Sequence, residues 1–341
     1  MPARKLRVLI VDDSMVFREF LSSGISKDAG MEVVALAASA YEARDAIEEY
    51  EPDVMALDVE MPRMNGIDFL KLLMPQYPMP VVVVSAVSGN VFDAMEAGAV
   101  DFVTKPDART PEMQQSFINE LIVKLKIAST ARLSSLKQHR VQQKNGLKQQ
   151  GSRTIVAIGA STGGTEALQS VVEAFDRDGP AMIIVQHMPP VFTRMYAERL
   201  NRSCRMEVRE ARSGDVVEKG LVLIAPGSLQ MKLVKNGDLY TVVCQPGEKV
   251  SGHCPSVDVM FDSVAKLAGP RAVGVILTGM GSDGAKGLLN MRKSGAYTIG
   301  QDESSSVVYG MPMVAMNMGA VMHQTSLDNI PDAIFRALAE P

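Results

Sequence analysis

The sequence predicts an α/β protein built from two doubly wound parallel-sheet domains, the second of which also carries a β-hairpin. Three observations lead to this prediction. Short β-branched runs alternate with amphipathic segments on both sides of a polar seam, as expected for βαβ units. The 341 residues are enough for two domains with separate cores. Polar residues follow several predicted strands, at the edge where such sheets bind ligands.

The seam between the two halves is basic and lacks a strong apolar periodicity. Residues 129–153 contain six Lys or Arg, five Gln and no acidic residue. This composition is typical of a solvated linker. We therefore predict one domain over residues 1–128, a linker over 129–152 and a second domain over 153–341. A basic docking arm is the alternative interpretation of the linker.

The first half contains five predicted strands, each an apolar run followed by polar residues. They are Leu6–Val11, Glu32–Ala37, Val54–Leu57, Val81–Val84 and Ala99–Val103. A strand order of 2-1-3-4-5 would place the first and third strands side by side. The side chains of Asp12, Asp13 and Asp58, which follow these two strands, would then converge. Three carboxylates at one point repel unless a hard cation neutralises them, and oxygen ligands of this kind suit Mg²⁺.

Two further polar residues follow the fourth and fifth strands of this half. Lys105 would supply a positive charge for a phosphoryl group, and Ser85 a hydroxyl donor. Taken singly, an Asp after a strand is more often a helix N-cap, and a lone lysine is usually solvated. All five polar residues at matching strand ends favour a phosphoryl site.

Residues 5–125 resemble the receiver domains of two-component response regulators. The resemblance rests on the segments LIVDDS, ALDVEMPRMNGIDFL, VVVVSA and AVDFVTKP. It implies a flavodoxin-like fold, Asp58 as the phosphoacceptor, a histidine kinase as phosphodonor and a cis Lys105–Pro106 peptide bond. The Mg²⁺ ligands that it implies are Asp12, Asp13, Asp58 and the backbone carbonyl of Glu60. The residues that it implies as phosphoryl sensors are Ser85, Lys105 and Phe102.

The second half shows the same alternation of strand and helix patterns. Its predicted strands are Thr154–Ile158, Ala181–Val185, Val222–Ile224 and Ala272–Leu277. Residues 230–243, with Asn236-Gly237 at their middle, are predicted to form a β-hairpin. We interpret the seven methionines between Met280 and Met322 as adaptable core filler.

Three functions compete for the second half. DNA binding would require a basic recognition helix, whereas residues 154–341 hold 17 Lys or Arg against 19 Asp or Glu. Dinucleotide binding would make GASTGG, residues 159–164, a variant of G-x-G-x-x-G. However, Ser161 replaces the second glycine, and the acidic ribose ligand is missing after the next strand. Nucleophilic catalysis accounts for both departures.

The segment GASTG fits the G-x-S-x-G turn of a serine nucleophile, here Ser161, because small neighbours let the hydroxyl project. A serine needs a base, and His187 ends the next strand, which is a natural neighbour. Asp283 follows a later strand and could orient the histidine. Singly, these residues are also explained as an N-cap, a loop histidine and an Asp-Gly turn. His253, with Asp258 nearby, is a competing base.

Residues 153–337 are similar to the catalytic domain of the chemotaxis protein-glutamate methylesterases. The matching segments are IGASTGG, IVQHMP, IAPG, GHCPSVDVMF, ILTGMGSDGAKG and SSSVVYGMPMVAMNMGAV, in this order. The similarity implies a Rossmann-like α/β fold in which Ser161, His187 and Asp283 form a triad and the backbone N–H of Met280 contacts the oxyanion. It also implies the substrate, glutamate γ-methyl esters of chemoreceptors, with deamidation of receptor glutamines as a second activity.

The same resemblance implies that phosphorylation of the receiver activates the esterase during chemotactic adaptation. A net charge of −4 gives no reason to expect a nucleic acid as partner. No apolar run approaches the roughly 20 residues that span a bilayer, and the three cysteines suit a reducing compartment. We therefore expect a cytoplasmic protein without membrane insertion. Its partners would be chemoreceptors and a histidine kinase, with Mg²⁺ needed for phosphorylation and no cofactor for ester hydrolysis.

Overall fold

The computed structural model describes residues 4–86, 90–106, 110–133 and 154–339. The chain divides into two compact units, residues 1–136 and 137–341. From residue 134 onward, the predicted linker lies outside the described residues. In the described part of the chain, no helix combines the length and apolar character that crossing a membrane requires.

The first unit is a parallel β-sheet with a helix after each strand. Its strands are β1 (Leu6–Val11), β2 (Met31–Ala37), β3 (Val54–Asp58), β4 (Val81–Ser85) and β5 (Asp101–Thr104). Its helices are α1 (Met15–Ile25), α2 (Ala40–Tyr50), α3 (Gly66–Leu73), α4 (Asn90–Glu96) and α5 (Pro111–Ala128). The strand order is β2-β1-β3-β4-β5, as predicted. Val11 of β1 is paired with Leu57 of β3, so the residues that follow them are neighbours.

The central strands of this sheet are buried on both faces. Every residue of β3 and β4 is buried, which is typical of a parallel sheet covered by helices on both sides. The fifth strand begins at Asp101, two residues later than predicted. The reason is that the N–H of Ala99 donates to the carbonyl of Ala94 and thereby closes α4.

The second unit contains a larger parallel sheet and a separate β-hairpin. The sheet strands are β6 (Ile155–Ala160), β7 (Ala181–Gln186), β8 (Glu207–Glu210), β9 (Leu221–Ile224), β12 (Ala272–Ile276), β13 (Tyr297–Gln301) and β14 (His323–Thr325). The hairpin is formed by β10 (Gln230–Asn236) and β11 (Leu239–Gln245), as predicted. The helices are α6 (Gly164–Glu173), α7 (Phe192–Ser203), α8 (Val257–Leu267), α9 (Ala285–Lys293), α10 (Met311–Asn317) and α11 (Ile330–Ala339).

The chain changes direction across this sheet at β6. Within the described residues the strand order is β14-β13-β12-β6-β7-β9-β8, and all of these strands run parallel. From β6 the chain first proceeds to β7 and β9, and later returns to β12 on the other side of β6. In open α/β sheets such a switch point opens a crevice at the carboxyl ends of the strands. Both predicted doubly wound sheets are confirmed.

Three strands of the second sheet were not predicted. Strands β8 and β14 lie at the two edges, and their sequences, EVRE and HQT, are polar and only partly buried. An edge strand has a neighbour on one side only, so burial imposes little apolar pattern on it. Strand β13, YTIGQ, is short and contains a glycine, which weakens the strand pattern.

One smaller prediction was wrong, and another holds for only two of its seven residues. Among the described residues, the cis peptide bond is Cys254–Pro255, and Lys105–Pro106 is trans. Of the seven methionines predicted as core filler, Met291 and Met311 are buried. The other five are more than a third exposed: Met280, Met313, Met316, Met318 and Met322. Helix α10 buries Met311, Pro312 and Ala315, which leaves its other face to solvent.

Candidate functional site

An acidic cluster lies at the carboxyl ends of β1 and β3. Carboxylate oxygens of Asp12, Asp13 and Asp58 lie within 4.8 Å of one another. Asp12 and Asp58 are buried, whereas Asp13 is exposed. The Nζ atom of Lys105 lies 2.7 Å from Oδ2 of Asp12 and 2.7 Å from Oδ2 of Asp58. The structure therefore brings four of the residues selected from the sequence into one site.

The charges in this cluster depend on one another. Burial raises the pKa of Asp58 to about 6, although the hydrogen bond and the charge of Lys105 act in the opposite direction. Burial would lower the pKa of Lys105, but its bonds to Asp12 and Asp58 outweigh this and hold the pKa above its usual value. Lys105 therefore remains protonated and positively charged between Asp12 and Asp58.

The donor set of the cluster fits Mg²⁺. Three carboxylates in one small volume are hard oxygen ligands, and their charge exceeds what Lys105 alone can neutralise. Backbone amides orient two of them: the N–H of Ser14 donates to Oδ1 of Asp12 (2.9 Å), and the N–H of Glu60 donates to Oδ1 of Asp58 (3.2 Å). The carbonyl of Glu60 as a further ligand stays a prediction.

The remaining receiver residues lie on the neighbouring strands. Ser85 is fully buried at the end of β4, and its carbonyl accepts the N–H of Lys105 at 2.8 Å. Phe102 is buried on β5, and its ring forms an edge-to-face contact with the ring of Phe92, with 6.4 Å between the ring centroids. The Nζ atom of Lys124 lies 5.1 Å from the centroid of the Phe102 ring. The coupling of Phe102 to Ser85 and Lys105 stays a prediction.

In the second unit, Ser161 and His187 directly follow two neighbouring strands of the sheet. Strands β6 and β7 pair in parallel, with Ala160 opposite Gln186. Ser161 and His187 are the residues that follow this pair. The N–H of His187 donates to the carbonyl of Ala160 (3.2 Å), and Nε2 of Gln186 donates to the carbonyl of Ser161 (2.9 Å). These bonds hold the two backbones together at the crevice.

Ser161 is not the N-cap of the helix that follows it. Helix α6 begins at Gly164, and its N-cap is Gly163, which has a left-handed φ of 75°. Glycine adopts this conformation readily because it has no Cβ. The Ser161 hydroxyl has no hydrogen-bond partner within the part of the chain that the structure describes. The N-cap explanation of this serine is therefore wrong.

The ring of His187 is bonded to a buried carboxylate. Its Nε2 atom lies 2.8 Å from Oδ2 of Asp283, which is 1% exposed. Three donors at the start of α8 also face this carboxylate: Ser256 Oγ (2.7 Å), Val257 N (2.8 Å) and Asp258 N (3.1 Å). Burial would raise the pKa of Asp283, but the hydrogen bond and charge of His187, followed by the bonds from α8, hold it below its usual 3.8. Asp283 is therefore ionised at neutral pH.

The other nitrogen of the His187 ring remains open. The Nδ1 atom is buried, and it has no hydrogen-bond partner among the described residues. A buried ring nitrogen without a partner is costly unless something else uses it. Because Nε2 faces Asp283, Nδ1 is the atom that can accept a proton.

The competing base lies against the same ring. The rings of His253 and His187 are stacked, with 3.6 Å between centroids and 4° between planes. Burial, followed by the charge of His187, lowers the pKa of His253 to about 4. Asp258 is buried, its pKa is raised chiefly by that burial, and it accepts the N–H of Gly287 at 2.8 Å. Since it is His187 that bonds to Asp283, the geometry favours His187 as the base.

The loop after β12 approaches Ser161 closely. The N–H of Ser161 donates to the carbonyl of Thr278 at 3.0 Å. A Cβ atom at Gly279 would lie only 2.7 Å from Cβ of Ser161, so this approach requires glycine. The backbone N–H of the next residue, Met280, has no hydrogen-bond partner among the described residues. It is available to an oxyanion formed beside Ser161.

The sequence analysis missed the buried polar residues that hold this loop. The hydroxyl of Thr278 donates to the carbonyl of Thr162 (3.0 Å) and accepts the N–H of Val308 (3.0 Å). The side-chain oxygen of Gln301 accepts the N–H of Thr278 at 2.7 Å. Polar residues at the carboxyl end of an apolar strand were the available signal, since Thr278 follows AVGVIL and Gln301 ends β13.

The fold and the two sites define a class of protein, an α/β enzyme joined to a response-regulator receiver. Comparison with protein-family models agrees with this class. The model described as CheB methylesterase matches residues 156–334, and the model described as response regulator receiver domain matches residues 8–115. The chain belongs to the CheB methylesterase family, as the sequence resemblance predicted.

Full-length relatives and a solved structure resemble the chain closely. A Syntrophomonas wolfei protein named protein-glutamate methylesterase/protein-glutamine glutaminase 2 is 58% identical over 338 residues, with 99% of both chains covered. A Salmonella typhi protein-glutamate methylesterase/protein-glutamine glutaminase is 46% identical over 334 residues, covering 96% of this chain and 95% of the other. The crystal structure of the Thermotoga maritima CheB methylesterase catalytic domain is 33% identical, with a TM-score of 0.53, over 54% of this chain and 98% of that one.

Proposed function

We propose that this chain is a phosphorylation-activated serine hydrolase that demethylates glutamate γ-methyl esters on chemoreceptors, and so takes part in chemotactic adaptation. Deamidation of receptor glutamines is its second proposed activity. The observation that supports the mechanism most directly is the His187 ring. Its Nε2 is bonded to an ionised Asp283, and its buried Nδ1 has no hydrogen-bond partner among the described residues. His187 and Ser161 follow two paired strands of the sheet.

In the proposed reaction, Oγ of Ser161 attacks the ester carbonyl carbon while Nδ1 of His187 takes the hydroxyl proton. The resulting oxyanion accepts the free N–H of Met280, and Asp283 stabilises the imidazolium. The tetrahedral intermediate collapses, methoxide leaves, and it receives the proton from His187 to become methanol. A water molecule then attacks the acyl-enzyme in the same way, giving the glutamate carboxylate and regenerating Ser161.

The same arrangement serves glutamine. Both substrates present a side-chain acyl carbon with a polar leaving group, so the attack and the oxyanion contact are shared. The difference lies in the leaving group, which departs as ammonia after it has taken the proton from His187. No metal or other cofactor enters either proposed reaction.

For the first unit we propose that Asp58 accepts the phosphoryl group from a histidine kinase. Asp12, Asp13 and Asp58 would hold Mg²⁺, together with the carbonyl of Glu60. A bound Mg²⁺ would supply positive charge that balances the phosphoryl oxygens. The proposed sensors of the modified residue are Ser85, Lys105 and Phe102.

We also propose the domain limits predicted from the sequence: a receiver over residues 1–128, a linker over 129–152 and a catalytic domain over 153–341. The two family matches fall inside these limits and support them. The proposed location is the cytoplasm, where receptor tails and kinase are accessible.

Methanol release from methylated receptor membranes tests the proposal. We expect the wild-type protein to release methanol slowly, and faster when a small phosphodonor and Mg²⁺ are added. The matched control is Asp58→Asn, which should keep the slow release and lose the response to phosphodonor. A protein that binds these membranes without releasing methanol would refute the proposed enzyme activity.

A further inference from the structure

The hydrogen bond to Asp283 does not by itself fix the plane of the His187 ring. The final torsion of a histidine side chain, between an sp³ and an sp² carbon, has a broad energy profile. A single bond from Nε2 leaves the ring free to tilt about that contact. The position of Nδ1 depends on this tilt, so a second contact must hold the plane if Nδ1 is to be available to Ser161 during the proposed reaction.

The ring of His253 provides such a contact. It lies flat on the His187 ring, with 3.6 Å between centroids and 4° between planes. Two rings in parallel contact at this distance cannot tilt independently, because the edges would collide. No described residue forms a hydrogen bond with the ring nitrogens of His253. The face of this ring, and not its nitrogens, is therefore what it offers to the site.

The loop that carries His253 is itself firmly held. The N–H and the carbonyl of His253 exchange hydrogen bonds with those of Val250, at 2.9 and 3.0 Å. The carbonyl also accepts Nε2 of the buried Gln230 at 3.4 Å. The side-chain oxygen of Gln230 in turn accepts the N–H of Ser256 at 2.9 Å. Gln230 thus connects two parts of the site. It bonds to the backbone of His253, whose ring stacks on His187, and to the backbone of Ser256, whose hydroxyl donates to Asp283.

The charge state of His253 agrees with this role. Burial and the neighbouring His187 lower the pKa of His253 to about 4, although the charge of Asp283 acts in the opposite direction. A neutral ring can remain in contact when His187 takes up a proton, whereas two cationic rings would repel each other. The weak basicity of His253 also makes it a poor proton acceptor at neutral pH.

We propose that His253 is a positioning residue for His187, acting through the flat face of its ring. It holds the His187 ring in the plane that keeps Nε2 on Asp283 and leaves Nδ1 for Ser161. This inference rests on the proposed function, because it assumes that His187 is the base in ester hydrolysis.

Two substitutions in the full-length protein separate the face of the ring from its nitrogens. His253→Phe keeps a flat ring, and His253→Leu keeps apolar bulk without one. We expect His253→Phe to hydrolyse methyl esters with a kcat close to wild type. His253→Leu should lower kcat by about 100-fold, as expected for a misplaced catalytic group, with KM unchanged. His323→Leu, at a half-buried histidine on the edge strand β14, is the matched control and should leave both constants unchanged.

A spectroscopic measurement distinguishes positioning from simple packing. The proton shared by Nε2 of His187 and Asp283 should give a downfield NMR signal that is present in the wild type and in His253→Phe, and lost or broadened in His253→Leu. Thermal unfolding of the same samples shows whether the variants fold.

Four results would overturn the inference. A wild-type kcat in His253→Leu would show that the stack is dispensable. Equal impairment of both His253 variants would mean that the imidazole nitrogens are needed. A kcat loss in His253→Leu that accompanies a lower unfolding temperature and an unchanged downfield signal would indicate packing alone. Methanol release by Ser161→Ala would defeat the proposed function, and this inference with it.

Discussion

Asp283 keeps its charge in a buried position because four donors face it. One is the ring of His187, and the others belong to Ser256, the N-cap of α8, and to Val257 and Asp258, its first two residues. The positive end of a helix dipole adds to this stabilisation. The carboxylate is therefore fixed before any substrate arrives, and so is the histidine bonded to it.

Asp283→Asn should lower kcat by about 1,000-fold or more, because an amide cannot stabilise the imidazolium in the same way. Stability should also change with pH. The folded-state pKa of Asp283 lies below 3.8, so its stabilising contribution is present above that pH and is lost as the pH falls through the lowered value. The variant should therefore be less stable than wild type at neutral pH, with a difference that shrinks below pH 3.8.

The measurements are kcat and the thermal midpoint of the catalytic unit at both pH values. Asp302→Asn is a matched control, since Asp302 is a partly exposed aspartate of the same unit that bonds to nearby serines. It should leave kcat unchanged. A midpoint difference for Asp283→Asn that stays constant with pH would contradict the ionised state of this carboxylate.

Ser161→Ala and His187→Ala should each reduce ester turnover by about 10,000-fold or more, because each removes the same proton-coupled attack. The double variant should be little worse than either single one, since groups that act as a unit are not additive. The measurement is single-turnover methanol release by the three variants. Turnover in Ser161→Ala above about a tenth of wild type would exclude Ser161 as the nucleophile.

The sequence predicted the three proposed triad residues because each follows a strand and has a chemistry of its own. It did not predict their supports. The bonds from Ser256 and Val257 to Asp283 join residues 27 and 26 positions apart. The stack of His253 on His187 joins two different loops. Such contacts depend on the packing of α8 against the sheet, which no local pattern encodes.

At the level of elements, the corner between β6 and α6 determines how Ser161 is presented. Gly163 ends this corner with a left-handed φ of 75°, and a Cβ there would lie 2.6 Å from Cβ of Val307. The glycine is thus required for two reasons, backbone conformation and close packing. The prediction of a strand, a tight turn and a helix succeeded here because each piece has a strong local signal. The edge strands β8 and β14 have no such local signal in the sequence, and they were not predicted.

The substitutions Gly163→Ala and Gly237→Ala separate the effect of the left-handed backbone conformation from the effect of close packing. Gly237, in the turn of the hairpin, also has a left-handed φ, 61°, but nothing lies within 4 Å of the position of its Cβ. Gly237→Ala should cost about 1–2 kcal/mol of unfolding free energy for the conformation alone. Gly163→Ala should cost about 1–3 kcal/mol more because of the clash with Val307. It should also lower kcat, because the corner must shift.

Urea unfolding and ester turnover of both variants are the measurements. Gly237→Ala serves as the control and should retain wild-type turnover. Equal losses of stability, or full turnover in Gly163→Ala, would mean that the corner adapts to a side chain. The close packing between Gly163 and Val307 would then have no part in presenting Ser161.

At the scale of the whole molecule, two sites with different needs for cations share one chain. The acidic cluster of the first unit has three carboxylates and Lys105, a composition that calls for an added cation. The Ser161 site has one ionised carboxylate, Asp283, with all its charge taken up by hydrogen-bond donors. The two proposed chemistries should therefore be separable by removing metal.

Chelation of divalent ions should abolish the activation of the full-length protein by phosphodonor, and it should leave basal ester hydrolysis unchanged. The reason is that uncompensated carboxylates and phosphoryl oxygens repel each other at Asp58. Ester hydrolysis at Ser161, in the proposed mechanism, needs no metal ion. The measurements are phosphorylation of Asp58 and methanol release, each with and without chelator.

Two variants should each lose one of these activities, phosphorylation of Asp58 or basal ester hydrolysis, and keep the other. Asp58→Asn should lose phosphorylation and keep basal hydrolysis, which chelator should not affect. Asp283→Asn should keep metal-dependent phosphorylation at Asp58 and lose hydrolysis. If chelator instead stops basal hydrolysis in the wild type and in Asp58→Asn, the second site needs a metal ion. The roles proposed for Ser161 and His187 would then have to be replaced by those of a metallohydrolase.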